Sequence, residues 1–318
     1  MVNRILRNSR KVLVTSHLHP DGDAVGSMLA LAHALEKQGK EVFLYNESCI
    51  PKNFFFLPGI EKIQSKVPDY SVFDSACILD CSELSRTGKC RKILKNIPEI
   101  INIDHHTTNT GFGTRTVIDT NACATAEIIY RIISDMGFEI CIDTAYCIYT
   151  GIFTDTGSFR FSNTNKNSFS ICTKMVEKGV SPHKVARHIY GRYSLGRIKL
   201  INLVLDSIEL SENGKIALLV LTKEMFEKTN TSEEDVSDLI NYAEHLEDVK
   251  IAALIKESVN SRSDLHYYHV SLRSDGTEDV SKIAFSYGGG GHESAAGFSS
   301  SLPFKQLKQE MMAIADRI

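Results

Sequence analysis

Short apolar runs alternate with amphipathic stretches through the first half of the chain, and several runs stop abruptly at an acid or a histidine. Residues 11–16 are such a run and predict a strand. Residues 22–39 have helical spacing, with Val25, Met28, Leu29, Ala32 and Leu35 on one face and Gly39 as the stop. Residues 41–45, 76–79 and 100–103 predict further strands. Residues 51–58 carry three consecutive phenylalanines and are read as a loop packed on the body, in preference to a lid. Strands alternating with helices imply an α/β domain with a mostly parallel sheet.

Helical spacing then dominates to about residue 207, over 124–136, 143–153, 167–178, 182–190 and 195–205. Beyond it the period changes. Residues 208–210 and 216–222 predict strands around the turn Glu212-Asn213-Gly214. Residues 250–256 and 267–273 alternate around a second turn region, 260–264. Helices near 234–243 and 304–318 complete a smaller α/β domain. The expected division is 1–187, a helical linker at 188–206, and 207–318.

Composition narrows the function. The 318 residues are 42% apolar and 24% charged, as in globular proteins, with net charge −3. Without a basic block the chain is no binder of long duplex nucleic acid. A small anion or a short oligonucleotide held by a few cations fits. Arg4, Arg7, Arg10 and Lys11 precede only Val12-Leu13-Val14, too short for a secretory core, and no run is long enough to span a bilayer. The expectation is a cytoplasmic protein without membrane contact. Eight cysteines are scattered between positions 49 and 172 with no Cys-x-x-Cys, which favours reduced, mostly buried thiols over zinc or disulfides.

The polar clusters at the run ends carry the chemistry. Asp104-His105-His106 follows the run 100–103, where open α/β sheets place their ligands. His17, Asp21 and Asp23 lie within seven residues at a strand-to-helix turn that Pro20 stiffens. A helix cap accounts for one of those aspartates but not for two and a histidine. Asp80 and Asp155, each ordinary alone, end two further apolar runs. Five aspartates with several imidazoles and no thiolate suit Mn²⁺, Mg²⁺ or Fe²⁺. Two such ions about 3.5–4 Å apart can activate a water and neutralise a phosphoryl oxygen, which points to phosphoester hydrolysis. Near the C-terminus, Gly288–Gly291 followed by His292 offers bare backbone amides, an anion nest if a helix starts just after it, or else a flexible turn. Arg273, on the polar face of a strand, could reach a phosphate or simply be solvated.

Together these residues resemble the DHH/DHHA1 phosphoesterase family of nanoRNase/pAp phosphatases and RecJ-like nucleases, over nearly the whole chain. The matching segments are His17-x-x-Pro20-Asp21-x-Asp23-x-x-Gly26-Ser27, then Asp80 with Arg86-x-Gly88, then Asp104-His105-His106, and Gly151-x-x-x-Asp155-Thr156-Gly157. In the C-terminal part they are Ser271-Leu272-Arg273-Ser274 and residues 289–297. The resemblance implies two Mn²⁺ ions, with Mg²⁺ an alternative. His17, Asp21 and Asp80 would hold one ion. Asp23, Asp80, His105 and Asp155 would hold the other, with Asp80 as the bridge. Asp104 would support the histidines and His106 would face the substrate phosphate. Arg273, Gly289, Gly290, Gly291 and His292 would bind substrate from the second domain, in a cleft for two to a few nucleotides. His19 stands where relatives carry a non-ligand such as Asn. The implied activity is hydrolysis of short RNA and of 3′-phosphoadenosine 5′-phosphate (pAp), by a homodimer. A c-di-AMP or pApA phosphodiesterase is the alternative within the fold, and a non-catalytic nucleotide-binding module the alternative outside it.

Overall fold

Val12, Leu13 and Val14 are wholly buried, and their run becomes the first strand of a parallel sheet. The computed structural model describes residues 1–66, 73–191, 193–236, 239–257 and 267–318, in two units, Met1–Arg192 and Tyr193–Ile318. The N-terminal unit runs α1 (Val2–Asn8), β1 (Lys11–Thr15), α2 (Gly22–Glu36), β2 (Glu41–Tyr45), β3 (Ser75–Leu79), α3 (Cys90–Leu94), β4 (Glu99–Asp104) and β5 (Arg115–Ile118). Four helices follow: α4 (Thr125–Asp135), α5 (Ile142–Asp155), α6 (Lys166–Glu177) and α7 (Pro182–Tyr190). All five strands are parallel, in the order β2-β1-β3-β4-β5. The chain steps from β1 out to β2 and then returns past β1 to β3. Strand order therefore reverses between β1 and β3, and the crevice at the carboxyl ends of such strands is where open α/β sheets bind ligands. The loop at 51–58 packs on the body as expected: Phe54 and Leu57 are buried, and the Phe56 ring stacks on His188 of α7 at 4.4 Å.

Three helices meet at bare backbone. A Cβ on Gly26 of α2 would lie 2.5 Å from the Cys147 carbonyl oxygen of α5. A Cβ on Gly151 of α5 would lie 2.6 Å from the Ala126 Cβ of α4 and 2.9 Å from Asp23 Oδ1. Neither contact can open without moving a helix or a site carboxylate. Gly151→Ala is accordingly expected to destabilise the protein by about 1–3 kcal/mol, as overpacked cores do, read as a lower midpoint in chemical denaturation. An unchanged midpoint would mean that the three helices separate freely.

The C-terminal unit comprises α8 (Leu195–Asp206), β6 (Glu209–Leu210), β7 (Ile216–Leu221), α9 (Lys223–Thr229), α10 (Asn241–Glu244), β8 (Ile251–Glu257), β9 (Tyr268–Ser274), α11 (Val280–Ser286), β10 (Gly290–His292), β11 (Ala295–Ser300) and α12 (Phe304–Ala313). Its six-stranded sheet has the order β10-β11-β9-β8-β7-β6, parallel at β7–β8 and antiparallel at the other pairs. Of the stretch 188–206 read as linker, residues 188–190 end α7 and Leu195–Asp206 form α8, whose Leu200 and Val204 are buried with Leu219 and Leu221 in this unit. The predicted 212–214 hairpin turn is present, with Gly214 in the left-handed region at φ 71°. The other predicted turn, 260–264, lies outside the described residues.

Two expectations need correction here. The described residues near 234–243 form a helical turn at Glu233–Asp235 and the short α10 in place of one helix; Leu239 and Ile240 are buried where the break occurs. The glycine run leads into a strand, so no helix N-terminus stands over it. The small residues after the run pair with it, Gly291 opposite Ala296 and His292 opposite Ala295, which commits the backbone to a ladder. Among the described residues no helix is long and apolar enough to cross a membrane.

Candidate metal centre

The carboxyl ends of β1, β3 and β4 and the end of α5 converge, and each brings acids or imidazoles. After β1 the chain reaches His17, which is buried; its Nδ1 donates to the Leu18 carbonyl at 2.7 Å, and Nε2 is turned to Asp80 Oδ2 at 3.6 Å. His105 is set the same way. Its Nδ1 donates to the Ala122 carbonyl at 3.3 Å, and Nε2 stands 3.7 Å from Asp80 Oδ1 and 3.6 Å from Asp155 Oδ2. An imidazole anchored through one nitrogen to a carbonyl and presenting the other is the usual posture of a metal ligand.

Asp21 does cap α2, its Oδ1 accepting from the amides of Asp23 and Ala24 at 3.0 Å each. Asp23 has a different task. Its carboxylate accepts from the amides of Thr125 at 2.6 Å and Ala126 at 2.9 Å and from Ser27 Oγ at 3.2 Å, so it caps α4 from far along the sequence. Asp80 directly follows β3, is buried, and holds a left-handed φ of 53°. That backbone, uncommon for a residue with a side chain, turns its carboxylate into the middle of the imidazoles. Thr125 Oγ1 donates to Asp80 Oδ1 at 3.1 Å, and His106 Nδ1 lies 3.6 Å from the same oxygen. Asp104 is fully buried at the end of β4. It accepts from the His105 amide at 2.9 Å, from His106 Nδ1 at 2.7 Å and from Asn109 Nδ2 at 2.6 Å. Asn163 clasps Asp155, its Nδ2 donating to Oδ2 at 3.1 Å.

The electrostatics follow from packing this many acids together. Burial, and then the charges of Asp80, Asp155 and Asp21, push the Asp23 carboxyl well above its ordinary value. Burial and the charges of Asp80 and Asp21 do the same to Asp155. For Asp80 burial works in that direction too, but the hydrogen bond with His17 and the charges of His106, His17 and His105 win and hold it at about 2. Burial opposes a charged His106, yet its bond to Asp104 and the charges of Asp80, Asp104 and Asp155 lift it to about 9. The ion pairs of Asp80 and Asp155 run to imidazoles, which makes the cluster a fit for added cations.

Two groups of donors adjoin. His17, Asp21 and Asp80 offer atoms within 4.8 Å of one another, as do Asp23, His105 and Asp155, and Asp80, His105 and His106 form a third, overlapping group. His19 is exposed and stands apart from these groups, its amide donating to Ser48 Oγ at 2.9 Å. Three residues that hold the cluster have no mark in the sequence pattern: Asn109, Thr125 and Asn163. Arg273 and the glycine run belong to the C-terminal unit. Arg273 is half-buried on β9, its Nη1 donating to the Leu272 carbonyl at 3.0 Å. Gly289 and Gly291 are required by the fold: a Cβ would lie 2.2 Å from the Gly297 oxygen and 2.4 Å from Ala296 Cα, respectively. Gly290 has no described neighbour within 4 Å of a Cβ. The side chain of His292 lies outside the described residues.

Comparison with known proteins agrees with this arrangement of units. Residues 11–152 match the N-terminal domain of the DHH family and residues 213–318 match the DHHA1 domain. The chain is 30% identical to a bifunctional oligoribonuclease and PAP phosphatase, NrnA, of Thermus thermophilus, over 90% of this chain and 83% of that protein. An exopolyphosphatase-related protein from Bacteroides fragilis superposes with a TM-score of 0.90 at 28% identity, covering 98% of this chain and 94% of that one. A manganese-bound exonuclease RecJ shares the fold at a TM-score of 0.58 and 13% identity, covering 99% and 94%. With a DHH domain followed by a DHHA1 domain, and a relative at this identity along most of its length, the chain belongs to the DHH family of hydrolases.

Proposed function

We propose that this protein hydrolyses short oligoribonucleotides and removes the phosphate of pAp, using two divalent cations, Mn²⁺ or Mg²⁺. The observation that carries the reading is the pair of adjoining donor groups around Asp80. His17, Asp21 and Asp80 would hold one ion, and Asp23, Asp80, His105 and Asp155 the other. Bound there, the ions would activate a water and offset phosphoryl charge. Asp104 accepts from His106 Nδ1, and His106, oriented by that bond, would meet the substrate phosphate. The name of the Thermus thermophilus relative supports the substrate class. The test is a panel of pAp, pApA, c-di-AMP and two- to five-residue RNA with Mn²⁺. Turnover of pAp and short RNA is expected. Preference for c-di-AMP would move the assignment to cyclic dinucleotides, and no turnover of any member would leave a nucleotide-binding module.

The proposed division of labour puts catalysis in residues 1–187 and substrate grip in 207–318, beyond the stretch 188–206. The grip would come from Arg273, Gly289–Gly291 and His292. Gly290 supports it, because its missing side chain answers to no described neighbour and leaves room for a ligand against the backbone. A charge-assisted bond from Arg273 is worth about 1.5–3 kcal/mol. Arg273→Ala is expected to lower kcat/KM on dinucleotides by about tenfold or more, with a smaller loss on bis-p-nitrophenyl phosphate, which offers that guanidinium little. Gly290→Val should act in the same direction. An unchanged ratio of the two kcat/KM values would return the glycine run to the role of a turn.

A further inference from the structure

A second group of side chains with metal-ligand chemistry lies at the other ends of α2 and α5. The donor atoms of His33, Cys141 and Asp143 fall within 4.8 Å of one another. α2 enters the centre described above with its first residues, Asp21 and Asp23, while α5 reaches it with its last, Asp155. From Asp143 to Asp155 a helix climbs about 18 Å, so this group is separate from that centre.

The donors differ in kind as well as in place. The first centre offers carboxylates and imidazoles; this one adds a sulfur, and thiolate with imidazole and carboxylate favours Zn²⁺ in tetrahedral coordination. The surroundings hold the donors in position. The His33 ring lies beside the Pro58 backbone, and Gly59 comes so close that a Cβ would lie 2.7 Å from His33 Nε2. A metal-binding imidazole is ordinarily steadied by a carbonyl. Cys141 is the N-cap of α5, and its Sγ lies 3.2 Å from Thr144 Oγ1. The amides of Asp143 and Thr144 also face that sulfur. Lys37 lies against the same sulfur and has a second partner, Glu139 Oε2 at 3.4 Å, to which it can turn when a cation arrives.

We propose that His33, Cys141 and Asp143 bind one zinc ion, solvent filling the fourth position, and that the ion ties the far ends of α2 and α5 together. Binding would displace the thiol proton of Cys141 to solvent. His33 lies on a different helix from Cys141 and Asp143, and there is no Cys-x-x-Cys spacing, which is why the sequence alone favours reduced, mostly buried thiols.

Cobalt tests the proposal, because only sulfur ligation gives a thiolate-to-cobalt charge-transfer band, and the first centre has no sulfur donor in its groups. The full chain, saturated with Mn²⁺, is titrated with Co²⁺ and then Zn²⁺. One equivalent of Co²⁺ should produce the band and Zn²⁺ should bleach it. Cys141→Ser should abolish the band, and serine, itself a preferred N-cap, keeps α5 capped. His33→Ala and Asp143→Asn should each weaken zinc affinity by about tenfold or more. Cys49→Ser, which removes the exposed thiol, should leave the band in place. Circular dichroism confirms that each variant is folded. No band in the wild type, or a band that survives in Cys141→Ser, overturns the site.

Discussion

Asp80→Asn is expected to lower kcat/KM by about 10³-fold or more, and to raise the Mn²⁺ concentration needed for what activity remains. Among the described residues Asp80 is the one carboxylate within 3.6–3.7 Å of three imidazoles, and it sits in both proposed ligand sets. Removing its charge would weaken the hold on both proposed ions together. Each 1.36 kcal/mol lost from the transition state is tenfold in rate, and metal stabilisation of a phosphoryl transition state amounts to several kcal/mol. The substitution is a clean probe, because asparagine accepts a left-handed backbone about as well as aspartate. Its amide oxygen can also still accept from Thr125. Excess EDTA should abolish wild-type turnover and Mn²⁺ should restore it. Full turnover in EDTA, or by Asp80→Asn, would sink the two-metal reading.

The two adjacent histidines should separate in a second experiment. His106→Ala is expected to lower kcat by about 10²–10⁴-fold, the range for a positioned proton-transferring group, with the number of bound metal ions unchanged. His105→Ala should lower both kcat and metal content. The difference lies in which nitrogen is engaged. His105 spends Nδ1 on a backbone carbonyl and turns Nε2 to Asp80 and Asp155, whereas His106 spends Nδ1 on Asp104. Metal analysis of the purified variants decides. Metal lost from His106→Ala and kept by His105→Ala would exchange the two roles.

Much of the N-terminal unit was legible because buried parallel strands are continuous apolar runs, and the site residues sit where those runs stop. Asp80 and Asp104 are visible for that reason. β5 is not, since its four residues alternate between half-buried and exposed at the sheet edge and leave no run. β11, Ala-Ala-Gly-Phe-Ser-Ser, has little intrinsic preference for a strand; its pairing with β9 makes it one. The cap that Asp23 provides to α4 is equally silent, because its partners are backbone amides, which every residue has. Asn109 and Asn163 are legible only once the fold brings them to Asp104 and Asp155. The glycine run misled through its neighbours: small residues after glycines suit a helix start as well as a β ladder, and the pairing of Gly291 with Ala296 chose the ladder.

The left-handed backbone at Asp80 sets strain against charge. A non-glycine residue there carries conformational strain, which glycine would relieve. Its carboxylate, held at about 2 by the imidazoles around it, gives stability at neutral pH that glycine would forfeit. A mutant library sorted only on survival after heating should therefore keep aspartate at position 80 when sorted at neutral pH, and release it only when sorted in strong acid, where the carboxylate has lost its charge.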